Sequence, residues 1–270
     1  MLGCEKPANV SEAGISPAIP AMPSNEVLVE EVSKKPLVKK AEENKTESFR
    51  FDREDPNQLR IGSAINAVLR KRKNEAKAGS RGLKLVPSRA VPVLLTEEIK
   101  QIQELDLTGR ELSDIACLSQ LTHFTSLYLS DNRLSRLQPL TKHDNLLALT
   151  LDENQLDDLD PLRALTRLNL LSLDSNLVSD LKPLAPLIHL KYLYLGNNRI
   201  TQIDPLENLE NLVALDLSAN QITDLDSLQR LTKLQSLGLF DNENLTLSEI
   251  TKLQQALPGC TINHNVGEGD

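Results

Sequence analysis

Residues 193–209 read LYLGNNRITQIDPLENL, and residues 215–231 read LDLSANQITDLDSLQRL, so the same spacing of apolar residues returns 22 positions later. Neither segment keeps the 3.6-residue period of an amphipathic helix or the two-residue period of a long strand. The spacing therefore belongs to a repeating unit of 22 residues.

Seven copies of this unit follow one another, without insertion or deletion, over residues 102–253. Three apolar rows keep the interval: Ile102, Phe124, Leu146, Leu168, Leu190, Leu212 and Leu234; Leu105, Leu127, Leu149, Leu171, Leu193, Leu215 and Leu237; and Leu107, Leu129, Leu151, Leu173, Leu195, Leu217 and Leu239. Two further rows are Asn132, Asn154, Asn176, Asn198, Asn220 and Asn242, and Pro139, Pro161, Pro183 and Pro205. Such regularity indicates a solenoid, in which each coil buries its leucines against its neighbours.

The template LxxLxLxxNxLxxLxPLxxL accounts for each part of one coil. In LxL, the alternation puts two leucines on one face of a short strand. The asparagine amide offers two donors and an acceptor to backbone groups that would otherwise be buried unpaired, at about 1–3 kcal/mol each. Proline fixes φ and stiffens the return segment on the opposite side of the coil.

This pattern resembles the leucine-rich repeat proteins. NQITDL (220–225) and PLENLENLVALDL (205–217) are similar to the 22-residue class found in bacterial internalins and in a eukaryotic phosphatase regulatory subunit. The resemblance covers residues 102–265 and implies an α/β solenoid with a parallel sheet on its concave face and short 3₁₀ or extended segments on its convex face. The first repeat departs from the pattern, with Arg110 at the asparagine place and Cys117 at the proline place, so we expect a less regular loop there.

Both ends of a solenoid need a cover. At the C-terminal end, where residues 254–270 are predicted to form the cap, Thr246 and Glu249 form a capping box for a helix running to about Ala256. The strand spacing then returns with a one-residue shift in Leu257, Cys260, Ile262 and Asn265. Cys260 is therefore expected to be a buried small apolar residue.

At the N-terminal end, residues 55–101 are predicted to form a capping helix and a degenerate repeat. Asp55-Pro56 is typical of a helix start, and an apolar stripe at helical spacing follows it, so we place the helix from about 57 to 76. Leu83 and Leu85 lie 22 residues before two repeat leucines, which indicates a decayed repeat from about residue 80.

Charge divides the chain in two. Residues 1–95 carry 17 Lys and Arg against 12 Asp and Glu, whereas residues 96–270 carry 13 against 26. No run of 18 apolar residues is present, so the sequence predicts no membrane-spanning helix. Cys117 and Cys260 fall at opposite ends of the repeat array, too far apart for a disulfide.

No catalytic motif is apparent. The four histidines (His123, His143, His189 and His264) are scattered, and neither a Cys/His metal spacing, a Gly-rich phosphate loop nor GxSxG occurs. Asp152, Asp174 and Asp216 approach one another across repeats, but we expect them at exposed strand sites with no pocket to shift their pKa. The sequence predicts a protein that is not an enzyme, with no cofactor, metal or small-molecule substrate.

Residues 1–54 are predicted to be a disordered tether. From residue 5 to 47 the chain is rich in Pro, Ala, Ser, Glu and Lys and has no aromatic residue, so it cannot bury enough apolar surface to fold. The start, Met1-Leu2-Gly3-Cys4, resembles the end of a bacterial lipobox, which implies lipidation of Cys4, a signal peptide mostly missing from this chain and a place in the bacterial cell envelope. An ordinary cytoplasmic N-terminus is the alternative.

Residues 60–89 hold nine basic residues and a single acidic residue, Glu75. Such a run is typical of contact with nucleic acid or with an anionic membrane surface, and the solvated face of a helix is the alternative. Nucleic acid is not expected, because the acidic repeats next to this segment would repel phosphate.

The side chains on the outward face of the strands alternate with the buried leucines and are not needed to form the core. Tyrosine is a preferred interface anchor, although strands favour aromatic residues for packing alone. The partner-binding residues predicted on this face are Tyr128, Tyr192, Tyr194, Phe240, Asp152, Asp174 and Asp216. The carboxylates predict a protein partner with a basic surface.

The sequence thus predicts a non-enzymatic protein-interaction module on a flexible tether in the bacterial envelope. A structural or envelope-organising protein, whose basic segment contacts lipid, is one alternative. A cytosolic scaffold similar to the phosphatase regulator is another.

Overall fold

The structure is a computed structural model that describes residues 55–77 and 99–267, with side chains described for 55–69 and 99–267. The predicted tether with Cys4, and most of the predicted degenerate repeat, lie outside the described residues. Among the helices of the described part, none is long and apolar enough to cross a membrane.

Each repeat contributes one three-residue strand to a single parallel sheet whose strand order follows the sequence. The strands are β1 (Glu104–Asp106), β2 (Ser126–Tyr128), β3 (Ala148–Thr150), β4 (Leu170–Ser172), β5 (Tyr192–Tyr194), β6 (Ala214–Asp216), β7 (Ser236–Gly238) and β8 (Thr261–Asn263). Coils of equal length hold a constant register, in which Leu171 lies opposite both Leu149 and Leu193. The predicted leucine-rich repeat solenoid is confirmed.

Short 3₁₀ helices return the chain along the convex side. They are η1 (Ala116–Gln120), η2 (Gln138–Leu140), η3 (Asp160–Leu162), η4 (Lys182–Leu184), η5 (Asp204–Leu206) and η6 (Asp226–Leu228). The repeated proline is the second residue of η2 to η5. Before η1, η3, η4 and η6, an aspartate accepts a hydrogen bond from the backbone N–H at the start of the helix; these residues are Asp114, Asp158, Asp180 and Asp224. Part of the acidic charge of the repeats is therefore structural.

The asparagine row has the predicted role. Asn176 donates to the carbonyls of Leu151 and Leu173 at 3.0 and 3.1 Å, and its Oδ1 accepts from the Leu156 N–H at 3.0 Å. The other five asparagines of the row make equivalent bonds. In the first repeat the loop differs, because Gly109 and Glu111 both have positive φ, at 64° and 51°.

One aliphatic cluster runs through the whole array, and it contains all three apolar rows. His143 is the exception to its aliphatic character. It stands where other repeats have Leu121, Leu165, Leu187 and Leu209, is fully buried, and has no hydrogen-bond partner on either ring nitrogen.

A helix covers each end of this cluster. Helix α1 (Pro56–Lys77) starts after Asp55, whose Oδ1 accepts from the Asn57 N–H at 2.8 Å, and it adds buried Ile61 and Ile65 to the core. Arg60 of this helix forms a 3.0 Å ion pair with Glu111 in the first repeat. The helix is therefore fixed to the solenoid by both apolar and polar contacts.

Helix α2 (Leu247–Ala256) begins at the predicted N-cap, Thr246, whose side chain accepts from the Glu249 N–H at 3.3 Å. The predicted start of the C-terminal cap at residue 254 falls inside this helix. After it, β8 pairs with β7, and Cys260 is buried as expected. Burial raises the pKa of the Cys260 thiol to about 11, so the thiol stays protonated and unreactive.

Candidate functional site

Three side chains of each strand segment point away from the leucine core and together form the concave face. The first row is Glu104, Ser126, Ala148, Leu170, Tyr192, Ala214 and Ser236. The middle row is Asp106, Tyr128, Thr150, Ser172, Tyr194, Asp216 and Gly238. The last row is Thr108, Ser130, Asp152, Asp174, Gly196, Ser218 and Phe240. The parallel register stacks each row at one strand spacing per repeat.

The three tyrosines lie on this face and not in the leucine core, but they do not stand free. Tyr128 and Tyr194 are only 7% and 5% exposed, whereas Tyr192 and Phe240 are partly exposed. Tyr194 packs with Ala148, Leu170 and Tyr192 in an apolar cluster of its own, which we call the central patch. All three tyrosines therefore lie on the predicted face, but Tyr128 and Tyr194 are packed into its floor, and their role in binding stays a prediction.

Leu170 and Ala148 support the tyrosines of this face, and the sequence prediction missed them. Leu170 is fully buried although it lies on the side of the sheet opposite the leucine core, because Tyr192 and Tyr194 of the next strand cover it. The signal was present in the sequence, since the residue before the first strand leucine also points outward under two-residue alternation.

The last row carries a chain of hydrogen-bonded carboxylates. Asp152 accepts from the hydroxyls of Ser130 and Ser172 and, at 2.9 Å, from the Asp174 N–H. Asp174 in turn accepts from the Gly196 N–H at 2.6 Å. The arrangement orients each carboxylate along the sheet.

These carboxylates are half-buried, so the expectation of exposed sites is wrong, and for Asp174 the expectation of an unshifted pKa is wrong as well. Burial, together with the negative charges of Asp152 and Asp216, raises the pKa of Asp174 to about 7. The same two causes, burial first and then neighbouring charges, raise the pKa of Tyr194 to about 12. Sequence spacing could show that the three aspartates are close, but not that neighbouring side chains shield them from water.

Gly196 allows two of these carboxylates to come together. It is buried, and a Cβ at this position would lie 3.3 Å from Asp174 Oδ1 and 3.5 Å from Asp216 Oδ2. The two oxygens therefore lie at most about 7 Å apart, a gap that one guanidinium group can bridge. We call Asp174 and Asp216 the carboxylate pair.

The histidines are not assembled into a reactive site. His143 lies in the core, and His123 is hydrogen-bonded through Nε2 to the Ile99 carbonyl at 2.8 Å. On the other side of the molecule, Asp224, Asp226 and Glu249 offer carboxylate oxygens within 4.8 Å of one another. Lys252 already forms an ion pair with Asp226 there, which neutralises part of that charge.

The fold and its periodic core define a leucine-rich repeat protein. A family model for leucine-rich repeats in two copies matches residues 188–230. Comparison with curated proteins by sequence gives no significant match.

Solved structures from two bacteria resemble the solenoid. An internalin, InlF, of Listeria monocytogenes is 26% identical with a TM-score of 0.59, over 78% of this chain and 71% of that one. Internalin C2 of the same species is 24% identical with a TM-score of 0.55, over 75% of this chain and 92% of that one. A leucine-rich repeat protein of Leptospira interrogans is 26% identical with a TM-score of 0.54, over 62% of this chain and 44% of that one. The chain therefore resembles internalins and other leucine-rich repeat proteins in its fold and repeat pattern.

Proposed function

We propose that this chain is a non-enzymatic interaction module that binds a protein partner along its concave face. The observation that carries the proposal is the composition of that face, where the central patch lies beside a row of half-buried carboxylates. None of these side chains belongs to the leucine core. An apolar centre flanked by charge is the usual composition of a protein-binding surface.

The charge on this face favours a basic partner. Asp114, Asp158, Asp180 and Asp224 cap 3₁₀ helices on the convex side and have a structural explanation. On the concave face, burial and then the repulsion from Asp152 and Asp216 raise the pKa of Asp174, so negative charge is concentrated there without a basic partner among the described residues to neutralise it. A positively charged partner relieves this repulsion, which adds affinity and orientation to the apolar contact.

A non-enzymatic role fits the same geometry. A carboxyl group with a pKa near 7 suits general acid–base chemistry, but such chemistry needs a second group held beside the substrate. The groups around Asp174 are two other aspartates and Tyr194, whose ionisation is disfavoured by burial, and His143 and His123 are held elsewhere by burial or by a backbone carbonyl.

The test compares charge reversals on the two sides of the solenoid. The full chain is used to capture proteins from an extract of its native source, and captured proteins are identified by mass spectrometry. A specific partner should be lost with Asp216→Arg and retained with Asp157→Arg, a matched reversal at an exposed position outside the concave face. If both variants captured the partner equally well, the binding site would not lie on the concave face.

We also propose that the module is anchored to a bacterial cell envelope through Cys4 and the segment that follows it. Support comes from the resemblance of Leu2-Gly3-Cys4 to a lipobox, and the similar solved structures are from bacteria. Mass spectrometry of the native N-terminus should find an acylated Cys4, and Cys4→Ser should release the protein from the membrane fraction. A free Cys4 thiol on the native protein would favour the cytoplasmic alternative.

A membrane-contacting role is a second candidate, favoured by the position of the basic run. Helix α1 extends to Lys77, past the cluster at 70–73, and Arg60 near its start forms an ion pair with Glu111 of the first repeat. Flotation of the full chain with vesicles should depend on anionic lipid, and replacement of Arg70, Lys71, Arg72 and Lys73 by Gln should abolish it. Flotation that is independent of lipid charge would argue against this role.

A further inference from the structure

The carboxylate pair has an unusual local environment. The last row of the concave face has a side chain in every repeat except at Gly196, and this gap lies between Asp174 and Asp216. The N–H of Gly196 already binds Asp174 at 2.6 Å, and the Ser218 N–H binds Asp216 at 2.9 Å. Each carboxylate is therefore oriented from below by the sheet.

Two polar side chains beside the pair have no hydrogen bond to another described residue. Tyr194 is only 5% exposed, and burial, together with neighbouring charges that include both carboxylates, raises the pKa of its phenol. Ser218 Oγ is fully buried and unpartnered. A buried hydroxyl without a partner, such as Ser218 Oγ, is costly unless a ligand supplies the missing contact.

We propose that the carboxylate pair is the docking point for one basic side chain, arginine or lysine, of the partner protein. This inference rests on the proposed function and narrows it to a particular contact. A guanidinium spans the two oxygens with charge-assisted hydrogen bonds, while the aliphatic stem of the same side chain packs on Tyr192 of the central patch. The ring of Tyr194 adds a cation–π contact beneath it.

The protonation state of Asp174 supports this assignment. With a pKa of about 7, Asp174 is only partly ionised at neutral pH, because burial and then the charges of Asp152 and Asp216 disfavour its ionised form; the phenol of Tyr194 also faces it. A bound cation favours the ionised form and lowers this pKa. Binding and deprotonation are therefore coupled, and binding should strengthen as the pH rises from 6 to 8.

The test uses a small probe, so it does not depend on knowing the partner. N-acetylarginine amide is titrated into the full chain at pH 8 and followed by NMR, with the neutral isostere N-acetylcitrulline amide as the control ligand. The arginine probe should give saturable shifts at Asp174, Gly196 and Asp216, with a dissociation constant in roughly the millimolar range, and should weaken several-fold at pH 6. The citrulline probe should give none.

Variants test whether the arginine probe binds to the carboxylate pair or only to the overall negative charge of the chain. Asp174→Asn and Gly196→Ala should each weaken the arginine probe about tenfold, because the first removes a charge and the second pushes a Cβ between the oxygens. Gly259→Ala is the matched control, since a Cβ there meets nothing within 4 Å, and it should bind like the wild type.

Three results would overturn the assignment: no saturable shift with the arginine probe, equal shifts with both probes, or shifts with Ca²⁺ alone, which would indicate a metal site. If the probe fails while Asp216→Arg still abolishes partner capture, the concave face binds its partner in another way and only the docking inference is wrong.

Discussion

His143 offers the sharpest test of how the core is built, because it places an imidazole in a row that is otherwise leucine. The ring is fully buried, and neither nitrogen has a hydrogen-bond partner. His143→Leu removes both polar atoms with little change in side-chain volume. Since an unsatisfied buried polar group costs about 1–3 kcal/mol, we expect a net stabilisation of about 2 kcal/mol. At roughly 2–4 °C per kcal/mol for a chain of this size, Tm should rise by about 4–8 °C.

The pH dependence gives this prediction a second, independent signature. Burial lowers the pKa of His143 below its ordinary value of 6.5, and the nearby carbonyls of Leu140 and Leu118 offset this only in part. The unfolded chain therefore binds more protons as the pH falls through about 6.5, and the wild type loses stability there. Between pH 7.5 and 5.5 the advantage of His143→Leu should grow, by no more than the roughly 1.4 kcal/mol that an unfolded pKa of 6.5 permits.

Urea unfolding, followed by circular dichroism at both pH values, measures these differences. His189→Leu is the control, since His189 is exposed, and it should change stability by less than about 0.5 kcal/mol. The reasoning is refuted if His143→Leu is no more stable than the wild type, or if the difference between them does not change with pH. Either result would mean that the ring nitrogens are satisfied in solution.

Three further predictions concern the loops and the concave face. Asn176→Ala should destabilise the fold by about 2 kcal/mol in urea unfolding, because it leaves the buried Leu156 N–H unpaired and removes one of the two asparagine donors from the Leu151 and Leu173 carbonyls, whereas Asn208→Ala at an exposed site should be nearly neutral. Asp174 has a pKa of about 7 in the folded protein, above its ordinary value of 3.8. The protonated side chain therefore stabilises the fold at low pH, and this stabilisation is lost as the pH rises between the two values. Asp174→Asn should therefore be more stable than the wild type by up to about 4 kcal/mol at pH 8 and nearly equal to it near pH 3; a constant difference would contradict this. Gln202→Asp should supply the missing aspartate before η5 and raise the urea midpoint, by about 0.5–1 kcal/mol in stability, and Gln202→Ala should not.

The repeat itself could be predicted in detail because it depends on local spacing. The places of the strands, the prolines of η2 to η5 and the buried row containing Asn176 all follow from one template, and equal coil lengths then fix the register of the sheet. The capping residue Thr246 was likewise predictable, because a capping box involves residues only three apart. The basic run at 70–73 stays a prediction about function.

The exposure and ionisation of the side chains on the concave face could not be predicted in the same way. Tyr194 looks like a projecting anchor in the sequence, yet Leu170, 24 residues away, packs against it and buries it. Asp174 looks exposed, yet shielding by its neighbours and the charges of Asp152 and Asp216 bring its pKa to about 7. These properties depend on which side chains meet across neighbouring coils.

The sequence by itself determined the solenoid, because a constant 22-residue period leaves the leucines no other way to be buried than between coils of equal length. Only the tertiary structure decided which outward side chains remain accessible, which carboxylates interact and that Gly196 leaves a gap between Asp174 and Asp216. The physical reason is that burial and electrostatic coupling on the sheet arise from residues about 22 positions apart, and they depend on the sizes and charges of several side chains at once.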